Sequence, residues 1–333
     1  RIDGLNKQDI IAIANKYFTD DYLFLKKKTG KYPKDRLQKP GFAPIIPKNA
    51  EAQSAYAQQL SQMPVNEMAP RYLDFEKDAH TYQLTPYVNL YCSPNPVNDI
   101  FTIKLNFGKG ILESNMAEPV SNYLNLLGTD SLSFEQFKEK LQQLGSTMAF
   151  SANNNAFILE VKGFDENMES TLKHVGEFMK GVKGDKKKLK QVVDAQKINN
   201  KALIKDPQQV ARALTEKVIF GDHSQQLRQL SIAEMKKLKS DTLLEEFRRL
   251  TSVACDIHYC GNLDNNKVVE IVKSNFNLNG VNIASNAPYY RPNQAVEKNA
   301  VYFINEPNAS QSVVVAYIPG EINSDDKSRN TSA

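Results

Sequence analysis

Residues 119–129 read PVSNYLNLLGT, and residues 130–150 continue DSLSFEQFKEKLQQLGSTMAF. The first stretch ends an apolar helix expected around residues 116–127, and Gly128-Thr129 then breaks it. Ser133 with Gln136 forms a capping-box pattern that opens a second helix carrying Phe134, Phe137, Leu141 and Leu144. Gly145 stands where the C-terminal cap of that helix belongs.

Outward from this pair the periodicity changes. In residues 99–107, Phe101, Ile103, Leu105 and Phe107 alternate with Thr102, Lys104 and Asn106, the period of a half-buried strand. Residues 147–151 and 156–162 read as a hairpin around Asn153-Asn154-Asn155, because Phe157, Leu159 and Val161 alternate. Helices are expected over 166–182, 187–203 and 208–220, then a strand over 253–259 and a helix around 268–276. Residues 301–305 and 312–318 read as the opening strands of another sheet. Runs of strands beside runs of helices, without strict βαβ alternation, predict an α+β fold: an antiparallel-rich sheet with helices packed on one face.

Two passages are weak copies of one another. Residues 5–18 carry Ile10, Ile13, Ala14 and Tyr17 at helical spacing and lead into the apolar run YLFL at 22–25. Residues 231–262 carry Leu243, Leu244 and Phe247 on a helix and lead into a strand ending Cys-Gly-Asn. Between residues 30 and 70, six prolines and scattered Lys and Gln disfavour a core, so this is read as a linker with one short helix at 50–62. The expected organisation is 1–28, the closing helix and strand of a preceding domain; 29–70, the linker; 71–280, a complete domain; and 281–333, the start of a further similar domain, truncated. The chain starts at Arg1 without Met and stops in DDKSRNTSA, so it reads as a piece of something longer, and an absent targeting segment carries no information.

Composition excludes several classes. The 333 residues are 41% hydrophobic and 24% charged, and no run approaches the ~18 apolar residues that span a bilayer. Net charge is only +4, with 42 basic and 38 acidic residues intermixed. The densest basic run, KGDKKKLK at 183–190, leads into a helix and reads as a solvated face, so no nucleic-acid partner is expected. Cys92, Cys255 and Cys260 are too few and too spread for a disulfide framework or a thiolate zinc site. Cys255 and Cys260, five apart on one strand, face opposite ways.

Nothing assembles into a self-contained active site. His80, His174, His223 and His258 are scattered, with His174 read as helix packing, His223 as a loop residue and His258 as half buried. No G-x-S-x-G or Cys-His pattern supplies an activated nucleophile, and Gly108-Lys109-Gly110 lacks the spacing and the Lys-Ser/Thr of a phosphate loop.

The order LNFGKG, helix, LLGTDSLSFEQFKEKLQQLGSTMAFSANNN over residues 105–155 resembles the pitrilysin/insulinase family of zinc metallopeptidases, whose metal motif is H-x-x-E-H. The resemblance spans about residues 70–280, including the closing KKLKSDTLLEEFRRLTSVACDIHYCGNLD. It implies a metallopeptidase-like domain. Counting back from Gly128-Thr129, the motif positions hold Pro119, Val120, Ser121, Asn122 and Tyr123, which offer neither two imidazoles nor a carboxylate base. The family's third ligand lies on a later helix, where this chain reads KQVVDAQKINN, with Gln196 a poor ligand and Asp194 alone. The resemblance therefore implies no catalytic residue, metal or cofactor in this chain, and zinc in a catalytic half of the parent protein. The expected function is a non-catalytic, substrate-enclosing part of a zinc metalloendopeptidase, partnered by the catalytic half or a paired subunit and by a peptide substrate. The alternative from the same fold is a purely structural or assembly protein, like respiratory-complex core subunits. The resemblance admits a periplasmic or cell-envelope location without fixing one.

Overall fold

The structure, a computed structural model, describes residues 4–30, 38, 41, 52–64, 74–305 and 312–319. Most of the proline-rich stretch assigned as a linker lies outside the described residues. Contacts divide the chain into two units, Arg1–Pro70 and Arg71–Ala333.

In the first unit, helix α1 (Lys7–Tyr17) opens with a capping box: Asn6 accepts from the Asp9 N–H, and Asp9 accepts from the Asn6 N–H. Helix α2 (Ala55–Ser61) is capped by Ser54. Neither helix buries a residue, so local capping rather than packing supports them. Residues 22–25, expected as a strand, join no ladder, and their side chains are 74–83% exposed. An apolar run becomes a strand only where a neighbouring backbone takes its N–H and C=O groups, and none does so among the described residues.

The second unit holds six strands, β1 (His80–Thr85), β2 (Val88–Pro94), β3 (Ile100–Phe107), β4 (Thr147–Ala152), β5 (Phe157–Phe164) and β6 (Cys255–Gly261). Its helices are α3 (Phe75–Asp78), α4 (Ala117–Leu124), α5 (Phe134–Gln143), α6 (Met168–Gly181), α7 (Lys186–Leu203), α8 (Pro207–Phe220), α9 (Gln225–Arg228), α10 (Ile232–Met235), α11 (Ser240–Leu250) and α12 (Asn265–Asn275). The strands form one sheet in the order β1-β2-β6-β3-β5-β4. Every pairing is antiparallel except β2 with β6, which run parallel. The late strand β6 thus inserts between two strands made far earlier in the chain.

The strand period writes the core directly. Val88, Leu90 and Cys92 of β2, Phe101, Ile103, Leu105 and Phe107 of β3, Phe157, Leu159 and Val161 of β5, and Cys255, Ile257 and Tyr259 of β6 are all buried on one face. That face meets the apolar stripes of the helices, with Leu172, Val175 and Phe178 from α6, Leu243 and Phe247 from α11, and Val268 and Val272 from α12. Phe150 of β4 joins the layers: its ring lies 5.8 Å from Phe157, 5.9 Å from Phe178 and edge-on at 5.7 Å to Phe247. The fold is α+β, with an antiparallel-rich sheet and helices on one face.

Two local expectations are met in detail. Ser133 and Gln136 make the reciprocal capping box of α5, and Gly145 closes that helix at φ +63°, a conformation that favours glycine. The hairpin β1–β2 was not foreseen, although Val88, Leu90 and Cys92 alternate as plainly as the residues of β3. At the other end, residues 301–305 and 312–318 were expected to open a sheet, yet the described residues there lie outside any strand, with Val301 96% and Val314 91% exposed. Residues 281–294 instead run over the second unit. Ala254 N–H donates to the Ile283 carbonyl (2.8 Å), Tyr289 N–H to the Asn155 side chain (2.6 Å) and Gln294 N–H to the Ile219 carbonyl (2.7 Å). Arg291 pairs with Glu216 at 2.9 Å and lies 3.8 Å over the Phe220 ring.

Candidate functional site on helix α4 and the uncovered sheet face

Helix α4 carries the positions that the resemblance aligned with a metal motif. Pro119 is the third helical residue, inside the first turn, where its missing N–H breaks no intrahelical bond. Asn122 faces solvent, while Val120 and Tyr123 are fully buried. The Tyr123 hydroxyl accepts from the Asp185 N–H (2.7 Å) and lies at hydrogen-bond distance from the Asp185 carbonyl (3.0 Å) and the Ser240 hydroxyl (2.9 Å). Asp185 caps α7, and Ser240 begins α11. One phenol therefore fastens three helices.

The N-terminal approach to α4 is fastened as well. The Ser114 hydroxyl donates to Glu246 of α11 at 2.6 Å, and Arg249 reaches the other oxygen of this buried carboxylate at 3.3 Å. Pairing of this kind offsets the cost of burying the charge. The Gly128-Thr129 turn docks in turn on the loop between α6 and α7: Lys183 N–H donates to the Gly128 carbonyl (3.2 Å) and Asp130 N–H to the Gly181 carbonyl (3.0 Å). A Cβ on Gly128 would stand 2.3 Å from the Leu132 carbonyl oxygen, so this turn closes only around glycine.

These side chains do not fit a zinc ion. Proline has no side-chain donor, the Tyr123 hydroxyl is occupied, and Gln196 donates to Asn200 on its own helix α7 at 2.9 Å. Asp194 faces solvent. Among the described residues no three His, Cys, Asp or Glu side chains converge as a metal site would require. The histidines stay apart: His174 pairs with Glu177 on α6 at 3.2 Å, His223 sits in the turn after α8, and His80 is exposed at the start of β1. His258, expected as half buried, is exposed, because it points from β6 to the face the helices leave bare.

That uncovered face is polar and ordered. The His258 ring stacks on Tyr91 with centroids 5.1 Å apart and planes at 18°. Glu160 bridges Lys104 (2.8 Å) and Lys162 (2.6 Å), and Asn89 donates to Asp256 (3.2 Å). The Lys104 and Lys162 ammonium groups hold the Glu160 carboxyl below its ordinary range. Burial, with the Asp256 charge beside it, pushes the Tyr91 phenol up. A cavity of about 510 Å³ lies here over Tyr91, Ser93, Thr102, Lys104, His258 and Cys260. Its size and mixed lining match a site that receives a side chain or small group. The sequence reading missed it by missing β2; the signal was the alternation of Tyr91 and Ser93 with the buried Leu90 and Cys92.

No family model matches the sequence, and no curated protein matches it by sequence. Solved structures do match the fold. The ferredoxin protease FusC, as a mutant in complex with Arabidopsis ferredoxin, superposes with a TM-score of 0.57 over 87% of this chain and 30% of its own, at 13% identity. The periplasmic protease PqqL from Escherichia coli gives 0.54 over 75% of this chain and 31% of its own, at 16% identity. The peptidase M16 inactive domain from Pseudomonas fluorescens gives 0.52 over 62% and 52%, at 13% identity. The fold is that of M16 peptidase domains. The chain spans about half or less of the length of these solved structures, and one of them is itself an inactive domain. No helix among the described residues is long and apolar enough to cross a membrane.

Proposed function

We propose that this chain is a non-catalytic, substrate-enclosing part of a zinc metalloendopeptidase, with zinc held by a catalytic half elsewhere in the parent protein or in a paired subunit. The observation that carries the reading is Tyr123. At the place where the family resemblance puts a metal-ligating imidazole, this chain has a fully buried phenol whose hydroxyl joins three helices. With Pro119, Asn122 and Gln196 at the other aligned positions, α4 is a degenerate motif helix that serves as framework.

The contribution left to such a half is steric and positional. A wall that excludes folded proteins and orients an extended peptide lowers the entropic cost of reaching a metal on the opposite side. The uncovered sheet face suits that role, because Lys104, His258, Tyr91 and Thr102 offer charged, aromatic and hydroxyl contacts on a rigid sheet. Within this reading, residues 1–28 close a preceding domain, 29–70 link, 71–280 form the peptidase-like domain, and 281–333 begin another. A periplasmic or cell-envelope location accords with the periplasmic protease among the fold neighbours.

The test pairs elemental analysis of the purified chain with a quenched-fluorescent peptide assay, alone and in the parent protein. The expected result is no stoichiometric zinc and no chelator-sensitive cleavage by the chain alone, zinc-dependent cleavage by the parent, and cross-linking of a photoreactive peptide to the β2–β6 face. One tight zinc per chain with cleavage would overturn the degenerate-motif reading. A parent without peptidase activity would favour the assembly role instead.

A further inference from the structure

A second cavity, of about 420 Å³, lies on the opposite side of the sheet from the peptide-facing surface just described. It opens between α6, α11 and α12 and descends onto the helix-covered face. Val88, Leu105 and Ile257, each at most 2% exposed, lie covered beneath it with the buried Cys255 thiol, and the half-buried Met179 and Leu278 are the apolar side chains it opens onto. Burial pushes that thiol's pKa far up, so the covered base carries no charge. The volume falls in the ~300–1,000 Å³ range of small-molecule sites, which are mostly apolar with a few convergent polar groups.

The charged groups here have one sign, beside the neutral Thr251, Asn275 and Asn277. Lys180, near the end of α6, and Arg248, near the end of α11, line the cavity, and no Asp or Glu does. Neither cation has an ion-pair partner among the described residues. Both side chains are exposed, so they stand where the cavity meets solvent. A lining with two cations, no carboxylate and apolar side chains disfavours a metal ion and a cationic ligand. It favours a molecule with an anionic head and an apolar tail: the tail gains about 25 cal/mol per Å² removed from water, and the guanidinium and ammonium make charge-assisted bonds to the head.

We propose that this cavity binds an alkyl carboxylate, with its carboxylate at Lys180 and Arg248 and its chain against Met179, Phe276, Leu278 and Val281. The inference is independent of the peptide-enclosing role, since it concerns the other face of the sheet and needs no metal.

The probe is dodecanoate, titrated calorimetrically into the full chain below its aggregation concentration, with 1-dodecanol and acetate as controls. Expected is saturable one-to-one binding of dodecanoate, at least tenfold weaker binding of dodecanol, and none of acetate. The K180Q/R248Q variant should bind dodecanoate at least tenfold more weakly, with an unchanged thermal midpoint. The K186Q/K187Q variant, which removes two lysines outside the lining, should bind as the parent chain does. Absence of saturable binding would overturn the proposal. So would equal affinity for dodecanol, or equal losses in the two double variants, because either marks a generic apolar or electrostatic sink.

Discussion

The Tyr123 hydroxyl sits 2.7 Å from the backbone nitrogen of Asp185, which itself caps α7 through the N–H groups of Lys187 and Lys188. The side chain of one residue thus satisfies the backbone of the residue that starts the next long helix. Replacing Tyr123 with Phe keeps the ring packed but leaves a donor at Asp185 and a hydroxyl at Ser240 short of a partner. The expected cost is about 1–3 kcal/mol, read as a lower midpoint in urea at unchanged slope. A neutral result would mean that water replaces the phenol and that α4 is not fastened there.

Phe150 is the aromatic meeting point of sheet and helices. Phe150→Ala should cost about 3–5 kcal/mol by equilibrium denaturation, since it leaves a cavity beside Phe157, Phe178 and Phe247. Phe150→Leu, which fills more of that volume, should recover a substantial part.

Glu160 gives the uncovered face a pH signature. Its folded pKa lies below the ordinary 4.5, first through Lys104 and then Lys162. The carboxylate therefore stabilises the fold fully above that ordinary value, and the contribution is lost as pH falls through the folded value. For a partly exposed pair it amounts to about 0.2–1 kcal/mol. Glu160→Gln should remove this part of the acid-limb slope and leave the neutral-pH midpoint slightly lower; an identical acid limb would show the bridges to be energetically silent.

The three cysteines should separate by reactivity. Cys92 and Cys255 are buried on the helix-covered face, with the Cys92 thiol pushed up to about 11, while Cys260 is partly exposed on the other. A thiol reagent near pH 8 should modify one cysteine per folded chain and three in denaturant, with Cys260 identified by mass spectrometry. Rapid modification of all three without denaturant would contradict the assigned strand faces.

Gly128→Ala brings a methyl against the Leu132 carbonyl oxygen and the start of α5. Backbone must shift to admit it, so a loss of about 1–3 kcal/mol is expected in thermal or urea unfolding. Tolerance of alanine would show that the turn can re-close without its present hydrogen bonds to the α6–α7 loop.

Local signals carried most of the fold. The capping box at Ser133 and Gln136, the glycine stop at Gly145 and the alternation of β3 and β5 each depend on neighbours within a few residues, so they are legible in the chain alone. What failed depends on distant partners. Residues 22–25 and 301–305 have the apolar content of strands but no ladder to join among the described residues, and His258 is exposed only because helices cover one side of the sheet. The insertion of β6 between β2 and β3 has no local signature either. Around α4 the sequence shows that Pro119, Asn122 and Tyr123 offer no imidazole or carboxylate, but not what the tyrosine hydroxyl does. That depends on where α7 and α11 begin, which only the folded packing decides.

The insertion of β6 also bears on how the chain is made. A ribosome delivers β1 to β5 well before Cys255 emerges, and until then β2 and β3 each present an unsatisfied edge next to apolar side chains. Such edges invite pairing with other nascent chains. Before β6 emerges the strand order allows at most two separate pieces of sheet, β1-β2 and β3-β5-β4, with no pairing between them. Completion of the sheet is therefore tied to the arrival of its central strand, late in synthesis, rather than to growth outward from a finished core.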